Sequence, residues 1–454
     1  MFKNWKIFLT IILGFHLLLL TQLKFTAWPE MLLWPYMMTQ GFLPYKDIAI
    51  AHTPHLVTYL AIFFKIFGVG VVQLKIYTWL LIIVTDLIVY WVSNKLWNRK
   101  IATISTFSFV ILQIFFDGNG LWFDSLLTPF SVLLFYLVSK KNYLWIGIVW
   151  AVMFLTKQTA VWFLIPIGLT LIQNLKFNKI PHINWQELKK FTFGALIVMV
   201  SFTLILWMFG ILPYFYQWAI NFGIFVLPRA QGQIQLPDLK NLIVAGFPFA
   251  VFVPFLLNKK NRNINLLMWA IAGVMGTYPR FEYFHFQPAI PFLAMVAAIV
   301  VTGVKQNKLI KTFLIFYMLG SVYLFANYFM RNWREGTRFL ETDVTDIVFY
   351  VKNNTHGNEK IFVLNWWDNI YPLTGTLPAT DPWVPQLSWY QDIPGVQDRE
   401  VENLRTVKPK LILFKEYEQV GLAAYKPQKV YDYIIANYKL KEQIDGIEIM
   451  IPNN

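Results

Sequence analysis

The chain has 454 residues, of which 57% are hydrophobic, 18% aromatic and only 14% charged. Soluble globular proteins sit near ~45–50% apolar and ~25% charged, so this composition excludes a disordered chain and an ordinary cytosolic enzyme and marks a membrane protein. The formal charge of +14 is unevenly spread: 331–454 hold 14 Lys/Arg against 17 Asp/Glu, whereas 1–330 hold 25 against 8.

A basic excess interleaved with apolar runs reads as positive-inside topology and not as a nucleic-acid face. No cysteine occurs, which removes disulfides, thiol nucleophiles and Cys-ligated zinc. Apolar runs of about 20 residues suit about 30 Å of hydrocarbon. Eleven are predicted, at 5–22, 70–94, 100–116, 121–138, 142–156, 159–175, 191–211, 240–257, 264–279, 287–304 and 309–328. The first follows Lys3 and Lys6 and lacks a small-x-small cleavage site before Thr26-Ala27-Trp28, so it reads as a retained anchor.

Basic clusters mark alternate loops: Lys3/Lys6, Lys95/Arg99/Lys100, Lys140/Lys141, Lys176/Lys179/Lys189/Lys190, Lys259/Lys260/Arg262 and Lys305/Lys308/Lys311. This alternation predicts a plasma-membrane protein with those loops and the N-terminus in the cytoplasm and 331–454 outside. The other external segments are then 23–69, 117–120, around 157–158, 212–239 and 280–286, the two long ones carrying interfacial helices. The predicted fold class is mainly α: a multi-span helical bundle over 1–330, followed by a small extracytoplasmic α/β domain over 331–454. In that tail the pattern predicts helices at Phe339–Asn353 and Val430–Asn437 and strands at Ile361–Asn365 and Leu411–Phe414. Leu440–Ile444 and Glu448–Ile451 flank Asp445-Gly446 and read as a hairpin.

The membrane part holds eight acids: Glu30, Asp47, Asp86, Asp117, Asp124, Glu187, Asp238 and Glu282. Asp86 falls inside a predicted span and Glu187 on the cytoplasmic side; the others gather at the outer face. Charge near hydrocarbon is costly, so that clustering needs a cause. Asp238, between loop residues, is a solvated side chain. Glu30 follows Pro29, which fits the first turn of a helix, so it reads either as a helix N-terminal carboxylate or as a general base held at the membrane surface. Asp47, in Gly41-Phe42-Leu43-Pro44-Tyr45-Lys46-Asp47, reads as a turn residue or as the alternative base. Asp124 reads as an orienting or acceptor-site residue, or as a solvated helix start. In Arg280-Phe281-Glu282-Tyr283-Phe284-His285 the first and third residues could simply pair and His285 could cap a helix. Alternatively Arg280 and His285 suit a lipid-linked phosphate, with Lys157, otherwise a snorkelling lysine, as a second cation. His52 and His55, three residues apart, are weak evidence for a metal. No P-loop, dinucleotide fingerprint or His-x-x-x-His pair occurs, so a transferase here would take its donor from the membrane.

With these residues in view the chain resembles the C-type (GT-C) superfamily of membrane glycosyltransferases, in particular protein O-mannosyltransferases and lipid A aminoarabinose transferases. The likeness covers nearly the whole chain. Glu30, Gly41, Tyr45, Asp47 and Pro54 match the family's first-loop pattern of an acid, then Gly-x-x-x-Tyr-x-Asp, then a Pro; Pro29 stands where the family has a further acid. Arg280, Tyr283 and Pro291 match an Arg–aromatic–Pro segment near the lipid phosphate, and Lys157 a lysine after a middle span. The resemblance implies inverting transfer of a sugar from a polyprenyl-phosphate donor to a hydroxyl of a glycan, lipid or protein acceptor. Glu30 or Asp47 would be the base. Arg280, Lys157 and His285, with Glu282, Tyr283 and Asp124 around them, would form the donor side. It implies no organic cofactor and leaves a divalent ion open; the partners are membrane lipids and the lipid-linked sugar, not nucleic acid. The alternative from another class is a polytopic transporter or lipid flippase, which would need charges along a pathway, and Asp86 is the only acid placed mid-span. A membrane scaffold leaves the one-sided acids unexplained.

Overall fold

Apolar runs fold as helices because in hydrocarbon each backbone N–H must find its acceptor within its own segment. In the computed structural model the described residues are 5–173, 182–230, 232–257, 264–303, 308–419 and 421–453. Lys3, Lys176, Lys179, Lys259, Lys260, Arg262 and Lys305, which mark predicted cytoplasmic loops, and the last residues of the runs 159–175 and 287–304 lie outside them.

The helices are α1 (Trp5–Gln22), α2 (Pro29–Thr39), α3 (His55–Phe67), α4 (Val71–Leu96), α5 (Arg99–Phe115), α6 (Phe123–Ser139), α7 (Tyr143–Phe154), α8 (Gln158–Leu171) and α9 (Trp185–Met208). After them come α10 (Leu239–Leu257), α11 (Ile264–Met275), α12 (Ile290–Gly303), α13 (Lys308–Asn332) and α14 (Thr342–Asn354). Of the described helices α1, α4, α9, α10 and α13 are long and apolar enough to cross a membrane; α3, α6, α7, α8, α11 and α12 are shorter and apolar.

The chain divides into two compact units, Met1–Phe25, Ile76–Ile205 and Ile234–Gly336 in one, and Thr26–Lys75, Leu206–Gln233 and Thr337–Asn454 in the other. The first is a helical bundle built around α12. That helix is apolar on every side, and every residue from Ile290 to Val300 is buried, with α5 and α11 packed along it. No residue of α13 is buried, which puts that helix at the periphery of the bundle. Helices α7 and α9 cross with their backbones in contact. A Cβ on Gly147 would strike the Phe191 carbonyl oxygen, and one on Gly194 would strike that of Leu144. Small residues at a helix crossing allow this approach.

The second unit gathers residues 26–75, 206–233 and 337–454 and holds a five-stranded sheet. Its strands are β1 (Lys360–Leu364), β2 (Leu377–Pro378), β3 (Ile412–Lys415), β4 (Tyr438–Ile444) and β5 (Ile447–Pro452), in the order β2-β1-β3-β5-β4. β1 runs parallel to β2 and β3, with Phe362 opposite Ile412 and Leu364 opposite Phe414; β3, β5 and β4 are antiparallel. One face packs Phe362, Leu364, Ile412 and Phe414 against Leu404 of a helix at Val396–Val407 (α15) and against Val430 and Ile434 of a helix at Gln428–Asn437 (α16). The opposite face buries Ile361, Val363, Leu413 and Ile449, so the run of buried side chains along β1 and β3 is continuous. Asp445 and Gly446 both have positive φ, the two-residue hairpin geometry that matches strand twist. β2, with its proline, sits at the edge, where a missing N–H is tolerated.

Candidate active site

In the helical unit, α6 starts after the turn 117–122 and carries Asp124 in its first turn, where a carboxylate gains from the helix dipole. Its side chain is only 1% exposed, so it is no solvated helix start. Its Oδ2 accepts from Lys157 Nζ at 2.6 Å and from His285 Nδ1 at 2.7 Å, and Nζ and Nδ1 are 3.1 Å apart. Lys157 is the residue just before α8 and is itself buried, so it does not snorkel to water. Its charge is met inside the chain by Asp124. His285 lies on a single helical turn, Tyr283–Phe286, just before α12. Burial, reinforced by the Lys157 ammonium, holds its imidazole below the ordinary histidine range, against the pull of Asp124. The carboxylate therefore orders two donors from distant segments on one oxygen, and its buried Oδ1 has no partner among the described residues.

Arg280 is on the same loop, which Gln235 ties down by accepting from Phe281 N (2.8 Å) and donating to Pro279 O (3.1 Å). Its Nε stands 3.6 Å from Glu282 Oε1, and both side chains are partly exposed. A loose surface pair of this kind contributes about 0–1 kcal/mol, so the guanidinium is readily taken by a stronger anion. Tyr283 OH donates to Asn241 Oδ1 at 3.0 Å, holding the loop to the start of α10.

The second unit holds the first-loop acids. Pro29 is the first residue of α2 and Glu30 lies in its first turn. Asp47 closes a turn: its Oδ2 accepts from Leu43 N at 2.8 Å, and its backbone oxygen accepts from Trp383 N at 2.9 Å. The spacing of Gly41, Tyr45 and Asp47 is thus the chemistry of a turn. Gly41 has φ 95°, and Tyr45 is buried with its hydroxyl on His52 O at 2.9 Å. Two further carboxylates join Glu30. Asp368 is pushed well above the usual carboxylate range by burial, then by Glu30 and Glu400, while a hydrogen bond with Trp383 opposes the shift. Glu400, on α15 and 2% exposed, is pushed up to about 7 by burial. Its oxygens accept from Gln391 Nε2 at 3.0 Å and from Gln386 Nε2 at 3.1 Å.

Sequence reasoning missed both. Asp368 follows Trp366-Trp367 and carries the signal that drew attention to Glu30, an acid among aromatics; Glu400, inside Asp398-Arg399-Glu400, looks like any solvated helix charge.

Glu400 makes stability depend on pH. Folding raises its carboxyl above the unfolded value of 4.5, so its contribution is full below about pH 4.5 and is lost as pH rises through about 7. Glu400→Gln removes that loss, on the order of 3 kcal/mol at pH 8, and its amide can donate to Gln386 Oε1 or Gln391 Oε1, neither of which has a partner among the described residues. Thermal unfolding at pH 5 and pH 8 should show the wild type losing ground to the variant with rising pH; parallel curves would contradict the burial of an ionising Glu400.

Among the described residues no three His, Asp or Glu side chains are grouped so as to hold a metal ion. The architecture matches ArnT from Cupriavidus metallidurans in the apo state, with a TM-score of 0.62 and 11% identity over 97% of both chains. The chain has the C-type membrane glycosyltransferase fold. The same enzyme bound to undecaprenyl phosphate matches at TM-score 0.62 and 10% identity, covering 98% of this chain and 97% of that one. The C-type fold also appears in the archaeal oligosaccharyltransferase AglB from Archaeoglobus fulgidus, solved with an inhibitory peptide and a dolichol-phosphate. That match has a TM-score of 0.54 and 13% identity over 91% of this chain and 69% of that one. Residues 51–207 match the model of the dolichyl-phosphate-mannose-protein mannosyltransferase family. No curated protein matches the chain. It is a membrane protein of C-type fold.

Proposed function

We propose that the protein is a glycosyltransferase that moves a sugar from a polyprenyl-phosphate donor to an acceptor hydroxyl at the outer face of the membrane, with inversion. The end-to-end C-type fold carries the proposal, because one protein of that fold holds undecaprenyl phosphate. Glu30 takes the proton of the acceptor hydroxyl as its oxygen attacks the anomeric carbon from the side opposite the phosphate. The bond from that carbon to the phosphate oxygen breaks, and its electron pair leaves with the polyprenyl phosphate. Arg280, loosely held by Glu282, meets the charge that develops there, and His285 beside it is kept in place by Asp124. Lys157 serves as the counter-ion that keeps Asp124 ionised. In the proposed orientation the N-terminus is cytoplasmic and 331–454 are outside.

The test is incubation of the purified protein, in lipid, with radiolabelled polyprenyl-phosphate sugars and membrane, glycan and protein acceptors. Label should leave the lipid fraction and enter one acceptor fraction. Stable donor in every mixture, with labelled lipid crossing between leaflets, would sink the transferase reading in favour of a flippase.

A further inference from the structure

Deep in the helical unit lies a polar group that the proposed chemistry does not use. His16 of α1 and Asp86 of α4 are fully buried, and Gln113 of α5 is 3% exposed. His16 Nδ1 is 2.7 Å from Asp86 Oδ2 and its Nε2 is 3.1 Å from Gln113 Oε1. Gln113 Nε2 donates to Gly118 O at 2.8 Å, which fixes the amide so that Oε1 accepts. His16 Nε2 must therefore carry a hydrogen, and a single further proton lies between Nδ1 and the carboxylate. The pair is neutral wherever that proton sits. An amide oxygen does not pass a proton on, so the chain of hydrogen bonds ends at Gln113: it holds and does not relay. Replacing such a group by packed apolar side chains is often neutral or stabilising, so stability alone does not account for it.

What it holds is the turn leading into α6. The Gln113 carbonyl accepts from Gly118 N and from Gln287 Nε2, both at 3.0 Å, and Gln287 Nε2 also reaches Phe116 O at 2.9 Å. Asn119 Nδ2 caps the end of α1 through Leu20 O, Leu23 O and Lys24 O at 3.0 to 3.1 Å, while its Oδ1 accepts from Trp79 at 3.1 Å. Asp124 follows this turn, and His285 stands two residues before Gln287. Both partners of the buried cluster thus hang from one node.

We propose that His16, Asp86 and Gln113 form a positioning strut that sets how Asp124 and His285 meet; its catalytic consequence rests on the glycosyltransferase reading above. The test compares H16F and D86L, which break the strut, with D86N, whose amide can donate to Nδ1 and leave the rest unchanged. Backbone hydrogen exchange over residues 116–120 and donor turnover are read in each, and turnover is repeated for H16F on a His285→Ala background. H16F and D86L should speed exchange and cut turnover by ~10–100-fold, the scale of a small misplacement at a reacting centre, with D86N near wild type. On the His285→Ala background H16F should add little, because residues acting through one another are not additive. Equal losses in D86N and D86L would assign the site to its charge and overturn the strut, as would an undiminished H16F effect without His285. Unchanged exchange in H16F and D86L refutes it whatever the activity. Faster exchange in a protein whose wild type transfers no sugar would remove the glycosyltransferase reading and leave the strut's hold on the turn supported.

Discussion

Glu30→Gln is expected to lower turnover by about 10²–10⁴-fold, the usual worth of a general base, while leaving donor binding nearly intact. The amide keeps the size of the side chain and its place in the first turn of α2 but cannot take the acceptor's proton. Burial, and then the Glu30 and Glu400 carboxylates, push the nearby Asp368 well above the usual carboxylate range. Arg280→Ala should differ in kind, raising the donor concentration needed as well as slowing transfer, because it removes charge from the phosphate side. Asp47→Asn should act mainly through its turn, whose Leu43 N–H already occupies one carboxylate oxygen. If Glu30→Gln keeps near-normal turnover while a folded Asp47→Asn variant is inactive, Asp47 is the base. If both variants transfer normally, the carboxylate mechanism is to be abandoned.

The second large effect is on stability. Asp124→Leu should cost about 3–5 kcal/mol, because it strands the Lys157 ammonium in a buried site. Asp124→Leu combined with Lys157→Met should recover most of that loss in thermal unfolding of the reconstituted protein, although activity stays low. Losses that simply add would mean that Lys157 finds water or another partner without Asp124, and the ion pair would then not be what orders this cluster.

Helices α1, α4 and α13 were legible because each is a run of apolar residues long enough to stand out, and they lie within a few residues of the runs that predict them. Strands β1, β3 and β5 were legible for the related reason that short apolar runs sit between turn residues, whereas the polar and largely exposed β4 was legible through Asp445-Gly446, which marks the hairpin. Helix α15 was not, since Val-Gln-Asp-Arg-Glu-Val-Glu-Asn-Leu-Arg-Thr-Val shows little beyond polar residues and buries chiefly Leu404 and Glu400. Site residues follow the same division. Asp124, Lys157, Arg280 and His285 could be singled out because charge is rare in such sequence. That the first two and His285 converge on one carboxylate oxygen could not be read, because sequence spacing carries no information about contacts 33 and 161 residues apart. Asp86 drew attention as a charge in a span, while His16 and Gln113, the residues that neutralise and anchor it, looked like ordinary polar punctuation.

The second unit is assembled from segments far apart in the chain, Thr26–Lys75, Leu206–Gln233 and Thr337–Asn454, and this has a consequence for its biogenesis. Tyr36 OH donates to Thr376 O at 3.0 Å across 340 residues, and Ala49 N to Trp383 O at 2.9 Å. At about 5–20 residues per second of synthesis, residues 26–75 wait roughly 17–70 s for these partners to emerge. Throughout that interval Met31, Leu32, Leu33 and Met37 of α2, all fully buried in the finished protein, lack part of their cover, and Glu30 lacks Asp368 and Glu400. The carboxylate group around Glu30 is therefore completed only once Asp368 and Glu400 have been synthesised, and a nascent chain that has already inserted its earlier helices is still chemically unfinished.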